Sequence, residues 1–95
     1  MQIEADIATP NASKYLQQLC KHWAHKMEVT FNAEQGLVPF APDARCLLHA
    51  EADKLNLKLE APDRETAARL GRVVVDHLRR FAFREELSEP VWRPA

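Results

Sequence analysis

The alternation of apolar and polar residues predicts five strands in this chain. Ile3, Ala5 and Ile7 alternate with polar neighbours over residues 2–8, which is typical of a strand with one face in water. The same alternation recurs in four segments near residues 27–31, 37–40, 45–50 and 54–60. Residues 32–36, Pro42-Asp43 and residues 51–53 have the composition of turns between these segments.

Two further segments have apolar residues at spacings of three and four, as amphipathic helices do. The first helix is predicted to run from Pro10 to about Ala24, with Thr9 as its N-cap. The second follows Pro62-Asp63, with Asp63 as N-cap, and ends near Phe83. The apolar stripes are Ala12, Leu16, Leu19, Cys20 and Trp23 in the first helix, and Ala67, Leu70, Val74, His77, Leu78 and Phe81 in the second.

The resulting order, β-α-β-β-β-β-α, predicts a two-layer α+β sandwich with an antiparallel sheet. Each strand has one apolar face, so we expect both helices to cover that face. This element order resembles the TATA-binding-protein-like architecture, a resemblance that carries no function. Residues 1–84 are predicted to form one domain, and residues 85–95 an irregular tail that lays Leu87 or Trp92 on the surface. A pocket is expected between the helices and the concave sheet face, near Trp23 and His77.

Composition narrows the class of protein. The chain has 95 residues and a net charge of −1, so its overall charge attracts neither nucleic acid nor membrane. No apolar run approaches the roughly 18 residues that a membrane-spanning helix needs, and the N-terminal residues do not resemble a secretion signal. Two cysteines are too few for a disulfide framework. These features predict a cytoplasmic protein with free thiols.

Residues 19–26 place a thiol, two imidazoles, an indole and two ammonium groups within eight positions. His22 and His25, three residues apart, are candidates to share zinc or iron, with His77 or Cys46 as further ligands. However, His25 points away from the apolar stripe of the first helix, whereas Cys20 on that helix and Cys46 on a strand point into the core. One metal ion could hardly contact all of these side chains. We therefore expect no cofactor, and keep zinc or iron bound by His22, His25 and His77 as the alternative.

Nucleophilic catalysis needs a thiolate beside a base. Cys20 and His77 face the same layer from different helices, so they are the weak catalytic candidates. His77, however, lies on the apolar stripe of the second helix. A buried imidazole usually forms a hydrogen bond with a carbonyl or carboxylate and stays neutral, which is the structural interpretation of His77. The alternative for His77 is a polar group aimed into the predicted pocket.

Charge is divided unevenly along the chain. Residues 10–26 carry three lysines and no acid, and residues 63–84 carry six arginines against three acids. A basic helical side can attract RNA or an acidic protein partner, although Asp76 can offset part of it by pairing with Arg72 and Arg80. Most aromatic residues are predicted to lie in the core, where they cannot stack on bases, so we consider nucleic-acid binding the weaker interpretation. Leu37 and Leu47 on the open sheet face allow a homodimer.

Residues 19–26 and 75–87 are similar to hallmark stretches of an uncharacterised bacterial family, domain of unknown function 2218, as are residues 8–16 and the turn around Gly36. The resemblance implies a small stand-alone bacterial protein associated with genes of siderophore and iron utilisation. It transfers no catalytic residue. The family's hallmark positions in this sequence are Cys20, His22, Trp23, His25, His77, Arg80 and Phe81.

We therefore expect a small cytoplasmic ligand-binding or accessory protein, favoured over an enzyme, with a link to iron or siderophore utilisation. Its ligand is expected at Cys20, His22, Trp23, His77 and Arg80. One alternative is a metal- or thiol-dependent enzyme that uses Cys20, His22 and His77. The other is a module whose basic helical face binds RNA or an acidic protein.

Overall fold

The computed structural model describes residues 1–95 and consists of two helices and one six-stranded antiparallel sheet. The helices are α1 (Ala12–Trp23) and α2 (Arg64–Phe81). The strands are β1 (Gln2–Ala8), β2 (Thr30–Phe31), β3 (Gln35–Ala41), β4 (Ala44–Ala50), β5 (Lys54–Glu60) and β6 (Arg93–Pro94). Their order in the sheet is β2-β3-β4-β5-β1-β6, so the central strands form the predicted meander and β1 adds beside β5. The predicted α+β class is confirmed.

One face of the sheet forms the core together with both helices. Leu55, Leu57 and Leu59 of β5 are completely buried, whereas the residues between them are partly exposed on the outer face. Helix α1 packs on β3, β4 and β5, and α2 packs on β5 and α1. Burying a leucine side chain contributes about 1.5–3 kcal/mol, so this alternation largely sets which face the helices cover. Neither helix is long and apolar enough to cross a lipid bilayer.

The contact between α1 and the sheet depends on a glycine. A Cβ atom at Gly36 in β3 would lie 2.7 Å from the Sγ atom of Cys20, well inside van der Waals contact. The missing side chain lets α1 approach the strand closely, which buries the Cys20 thiol against the backbone of β3.

Two predicted boundaries in the N-terminal half are wrong. Helix α1 begins at Ala12 with Asn11 as N-cap, because the buried Thr9 hydroxyl accepts from the Asn11 N–H at 3.1 Å before the helix starts. The predicted strand over 27–31 is reduced to β2, and β3 begins at Gln35, inside the predicted turn. The turn is tighter than predicted because Asn32 Oδ1 accepts from the N–H groups of both Glu34 and Gln35 at 2.8 Å.

The C-terminal half differs from prediction mainly in its last residues. Asp63 caps α2 as predicted, accepting from the Thr66 N–H at 2.7 Å, but the helix ends at Phe81 rather than near Phe83. The segment predicted as irregular contains one regular element, β6, which pairs with β1. Before it, Trp92 lies so close to α2 that a Cβ at Gly71 would be 2.9 Å from its ring. The C-terminal segment therefore closes the β1 edge of the core.

Candidate functional site

Two histidines from different helices lie beside each other where α1 meets α2. His22 is in the last turn of α1, His77 lies just before the last turn of α2, and both are half-buried. Their ring centroids are 5.0 Å apart and the ring planes are tilted by 44°. We call His22, Trp23, His77, Arg80 and Phe81 the two-histidine site. The structure thus brings together four of the five residues that we predicted to bind a ligand.

An aromatic floor supports the imidazoles. Trp23 is only 4% exposed, and its ring centroid lies 5.1 Å from that of His77 and 5.1 Å from that of Phe40 on β3. Phe81 approaches His22 edge-on with a centroid distance of 6.2 Å. Such edge and tilted contacts are favourable packing geometries for aromatic rings. The floor is therefore part of the core, and it fixes where the two imidazoles stand.

A hydrogen bond to the backbone determines the protonation pattern of His77. Its Nδ1 lies 2.7 Å from the carbonyl oxygen of Val73, one helical turn earlier. A carbonyl can only accept a hydrogen bond, so Nδ1 carries a proton and donates it. The predicted bond from His77 to a carbonyl is confirmed. The other ring nitrogen, Nε2, is left to meet a ligand.

The charges around the site have one sign. The pKa of His22 is lowered, first by desolvation and then by the positive charges of His77, Lys26, His25 and Arg80. No carboxylate forms an ion pair with any of these five residues. Asp76 does not form the ion pairs with Arg72 and Arg80 that its helical spacing allows. The fixed positive charges near His22, those of Lys26 and Arg80, therefore have no acidic partner in an ion pair.

Both cysteines belong to the core. Cys20 and Cys46 are free thiols with no exposed surface. Burial raises the pKa of Cys20 to about 11. Burial, followed by the charge of Cys20, also raises the pKa of Cys46. Cys20, the fifth predicted ligand-binding residue and a weak catalytic candidate, therefore offers a ligand neither a surface nor a thiolate.

The predicted metal ligands do not gather into one group. His25 is exposed beyond the end of α1, whereas His22 and His77 are half-buried. The structure places no three His, Cys, Asp or Glu side chains so that together they could hold a metal ion. The zinc or iron alternative thus has two neighbouring imidazoles and no third protein ligand.

A depression lies on the side of the sheet opposite to the predicted pocket. It has a volume of about 540 Å³ on the outer face, where Leu37 and Leu47 lie between polar residues that include His49, Asn56 and Lys58. The space between the helices and the sheet is filled by the core, so the pocket predicted near Trp23 and His77 is a surface site over the buried Trp23 instead. Periodicity could place Leu37 and Leu47 on the outer face but could not show that a depression forms there.

A polar cluster at the other end of α1 was missed by the sequence reasoning. Glu85 accepts hydrogen bonds from the Thr9 hydroxyl and the Asn11 amide, both at 2.9 Å, and from the hydroxyl of the buried Tyr15. The Tyr15 bond, and then the Asn11 bond, lower the pKa of Glu85. Burial, and then Glu85, raise the pKa of Tyr15. One signal was available: Tyr15 lies four residues before Leu19 on the apolar stripe of α1.

The fold and the site together define a small two-layer α+β domain with a histidine–aromatic site between its helices. The chain belongs to a family of uncharacterised proteins conserved in bacteria, domain of unknown function 2218, which matches residues 4–93. It is similar to the protein PA4090 from Pseudomonas aeruginosa, whose structure was determined by NMR, with 39% sequence identity. That match covers 99% of this chain and 96% of PA4090 with a TM-score of 0.82. A search of curated proteins gave no match. The family prediction is confirmed.

Proposed function

We propose that this protein binds a small organic anion at the two-histidine site, as a binding or accessory protein rather than an enzyme. The observation that carries the proposal is the meeting of His22 and His77 at 5.0 Å among positive groups that have no carboxylate partner. Half-buried imidazoles that are fixed by packing and lie beside cationic side chains form a setting in which an anion gains both hydrogen bonds and charge attraction.

Electrostatics favours an anion over a metal cation. Near a protein surface, two unit charges 4 Å apart interact by about 4 kcal/mol before desolvation and salt are counted. The positive groups around His22 therefore attract an anion and repel a cation. The outer sheet face differs, since Arg45 donates to Glu60 at 2.8 Å and Arg93 donates to Asp6 at 3.1 Å.

The aromatic side chains favour an anion with an apolar body. The half-buried Phe81 borders His22, with a centroid distance of 6.2 Å. A planar ligand can pack on this ring while its charged group meets the imidazoles and Arg80. Benzoate is therefore the simplest probe of the site.

The enzymatic alternatives have less support. A thiol nucleophile acts as the thiolate, and Cys20, with its pKa raised to about 11, is protonated at neutral pH. Zinc or iron binding by His22, His25 and His77 would have to overcome the positive charges near His22. The association with siderophore and iron utilisation that the family resemblance implied fits the proposal, because iron chelators present anionic oxygens.

The experiment compares two arginines of α2 that differ in their distance from the site along the helix. Binding of benzoate to the wild type, Arg80→Gln and Arg72→Gln is measured by isothermal titration calorimetry at low ionic strength. Both arginines are exposed and lack ion pairs, so the substitutions cost little stability. We expect Arg80→Gln to weaken binding by about tenfold, as the loss of a charge-assisted hydrogen bond does, and Arg72→Gln by less than about twofold.

Two results would contradict the proposal. The first is the absence of saturable benzoate binding by the wild type. The second is an equal loss in both variants, because binding would then depend on the general charge of α2. Equal losses together with retention on heparin would favour the alternative of a basic helical face that binds RNA.

A further inference from the structure

We infer that an anion bound at the two-histidine site is taken up together with one proton, which His77 carries at Nε2. This inference rests on the proposed function and adds to it the protonation state of the bound complex. The resulting pH dependence can be tested separately from binding itself.

The neutral ring of His77 cannot donate a hydrogen bond to an anion from Nε2. Its Nδ1–H donates to the Val73 carbonyl at 2.7 Å, and a neutral imidazole has only one N–H group. Nε2 of the neutral ring is therefore an acceptor with an exposed lone pair. A carboxylate oxygen, which is also an acceptor, gains no hydrogen bond from this nitrogen.

The protonated ring of His77 can hold an anion. For Nε2 to donate to a ligand oxygen, His77 must take a second proton from the solvent and become an imidazolium. Nδ1–H then donates to Val73 and Nε2–H donates to the ligand, in a charge-assisted hydrogen bond. No bond in the ligand breaks, and the only change of composition is one proton gained by the protein.

The surroundings of the two imidazoles couple this proton to the anion. Helix α1 and the residues after it contribute His22, His25 and Lys26, and α2 contributes Arg80. The β3 side chain that packs against the floor, Phe40, is uncharged. A bound anion adds an opposite charge beside the ring of His77, which lies 5.0 Å from that of His22. Protonation of the ring and binding of the anion therefore favour each other.

The test follows benzoate affinity against pH. The benzoate carboxylate stays ionised from about pH 6 to pH 8, so a change of affinity over this range comes from the protein. We expect the Kd of the wild type to rise toward about tenfold per pH unit at the alkaline end. In His77→Gln the side-chain amide donates at every pH, so the profile should be flat. His25→Gln should keep the wild-type slope.

Calorimetry of the wild type gives a second readout that needs no variant. In buffers with different ionisation enthalpies, the heat of benzoate binding should differ by an amount that corresponds to net proton uptake. A flat wild-type profile without proton uptake would overturn the inference and leave anion binding intact, and so would a slope that persists in His77→Gln. Absence of binding at every pH would overturn the proposed function itself.

Discussion

The two ends of α1 carry polar clusters of opposite kinds. At the start of the helix, Glu85 accepts hydrogen bonds from Thr9, Asn11 and Tyr15, so its carboxylate has three donors within the chain. At the end of the helix, His22 lies among positive groups, and none of them has an acidic partner. The first cluster is complete without a ligand, and the second is not.

This difference indicates which cluster holds the fold together and which is available for binding. A carboxylate at a helix start is also favoured by the helix dipole, and here it ties the segment after α2 to α1. A cluster of like charges opposes folding slightly unless it is exposed or bound. We therefore assign a structural role to the Glu85 cluster and a binding role to the two-histidine site.

The ring of Trp23 supports the imidazoles of the two-histidine site, and Trp23→Ala removes this support. Because Trp23 is 4% exposed and belongs to the core, we expect a loss of about 3–5 kcal/mol in the free energy of unfolding, measured by chemical denaturation. Phe83→Ala is the matched control, since its ring is 75% exposed and should cost less than about 0.5 kcal/mol. An unchanged denaturation midpoint in Trp23→Ala would show that the ring is not part of the core.

The structural role of the first cluster is tested by Glu85→Ala against Glu86→Ala. Removing Glu85 leaves the hydroxyl of the buried Tyr15 without its acceptor, so the melting temperature should fall by several degrees. Glu86 is exposed and makes no side-chain hydrogen bond or ion pair, so its removal should leave the melting temperature nearly unchanged. Equal melting temperatures for the two variants would remove the distinction between the clusters.

The two-histidine site should make the stability of the fold depend on pH. The pKa of His22 in the folded protein is lowered from 6.5, so the unfolded chain binds this proton more readily. The contribution of His22 is fully present above about pH 6.5 and is lost as the pH falls toward the lowered pKa. Denaturation midpoints between about pH 5 and pH 8 should therefore vary less in His22→Gln than in the wild type. A variant with undiminished pH dependence would contradict this account.

The smallest effect is expected at His25, which follows α1 but stands outside both clusters. Because the side chain is exposed and forms no ion pair, His25→Ala should change the free energy of unfolding by less than about 0.5 kcal/mol. Chemical denaturation near neutral pH measures this. A loss above about 1 kcal/mol would mean that His25 is bound into the two-histidine site after all.

The sequence predicted the parts of the fold that local patterns determine. Alternation placed Leu55, Leu57 and Leu59 in the core, and the Pro62-Asp63 pair located the start of α2 within one residue. These features depend on neighbours a few residues away, which a single sequence displays directly. The parts that were missed depend on contacts across the chain. Glu85 and Tyr15 are 70 residues apart, and β6 pairs with the opposite end of the chain.

The sequence predicted which residues form the candidate site, but not how these residues are arranged. Helical periodicity could place His22 at the margin of one stripe and His77 on another, but their separation depends on how α1 crosses α2. Cys20, which we predicted to bind the ligand, is the clearest example of this difference. Cys20 lies only two residues before His22 in sequence, yet its thiol is buried in the core beside Gly36.

The four histidines provide the most direct test of the central claim. Ring signals of His22, His25, His49 and His77 are followed by NMR while benzoate is added. His22 and His77 report on the two-histidine site, His25 on the nearby surface and His49 on the depression of the outer sheet face. We predict saturable shifts of His22 and His77 with little change at the other two. Shifts at His49 alone, or at none of the four, would contradict the account.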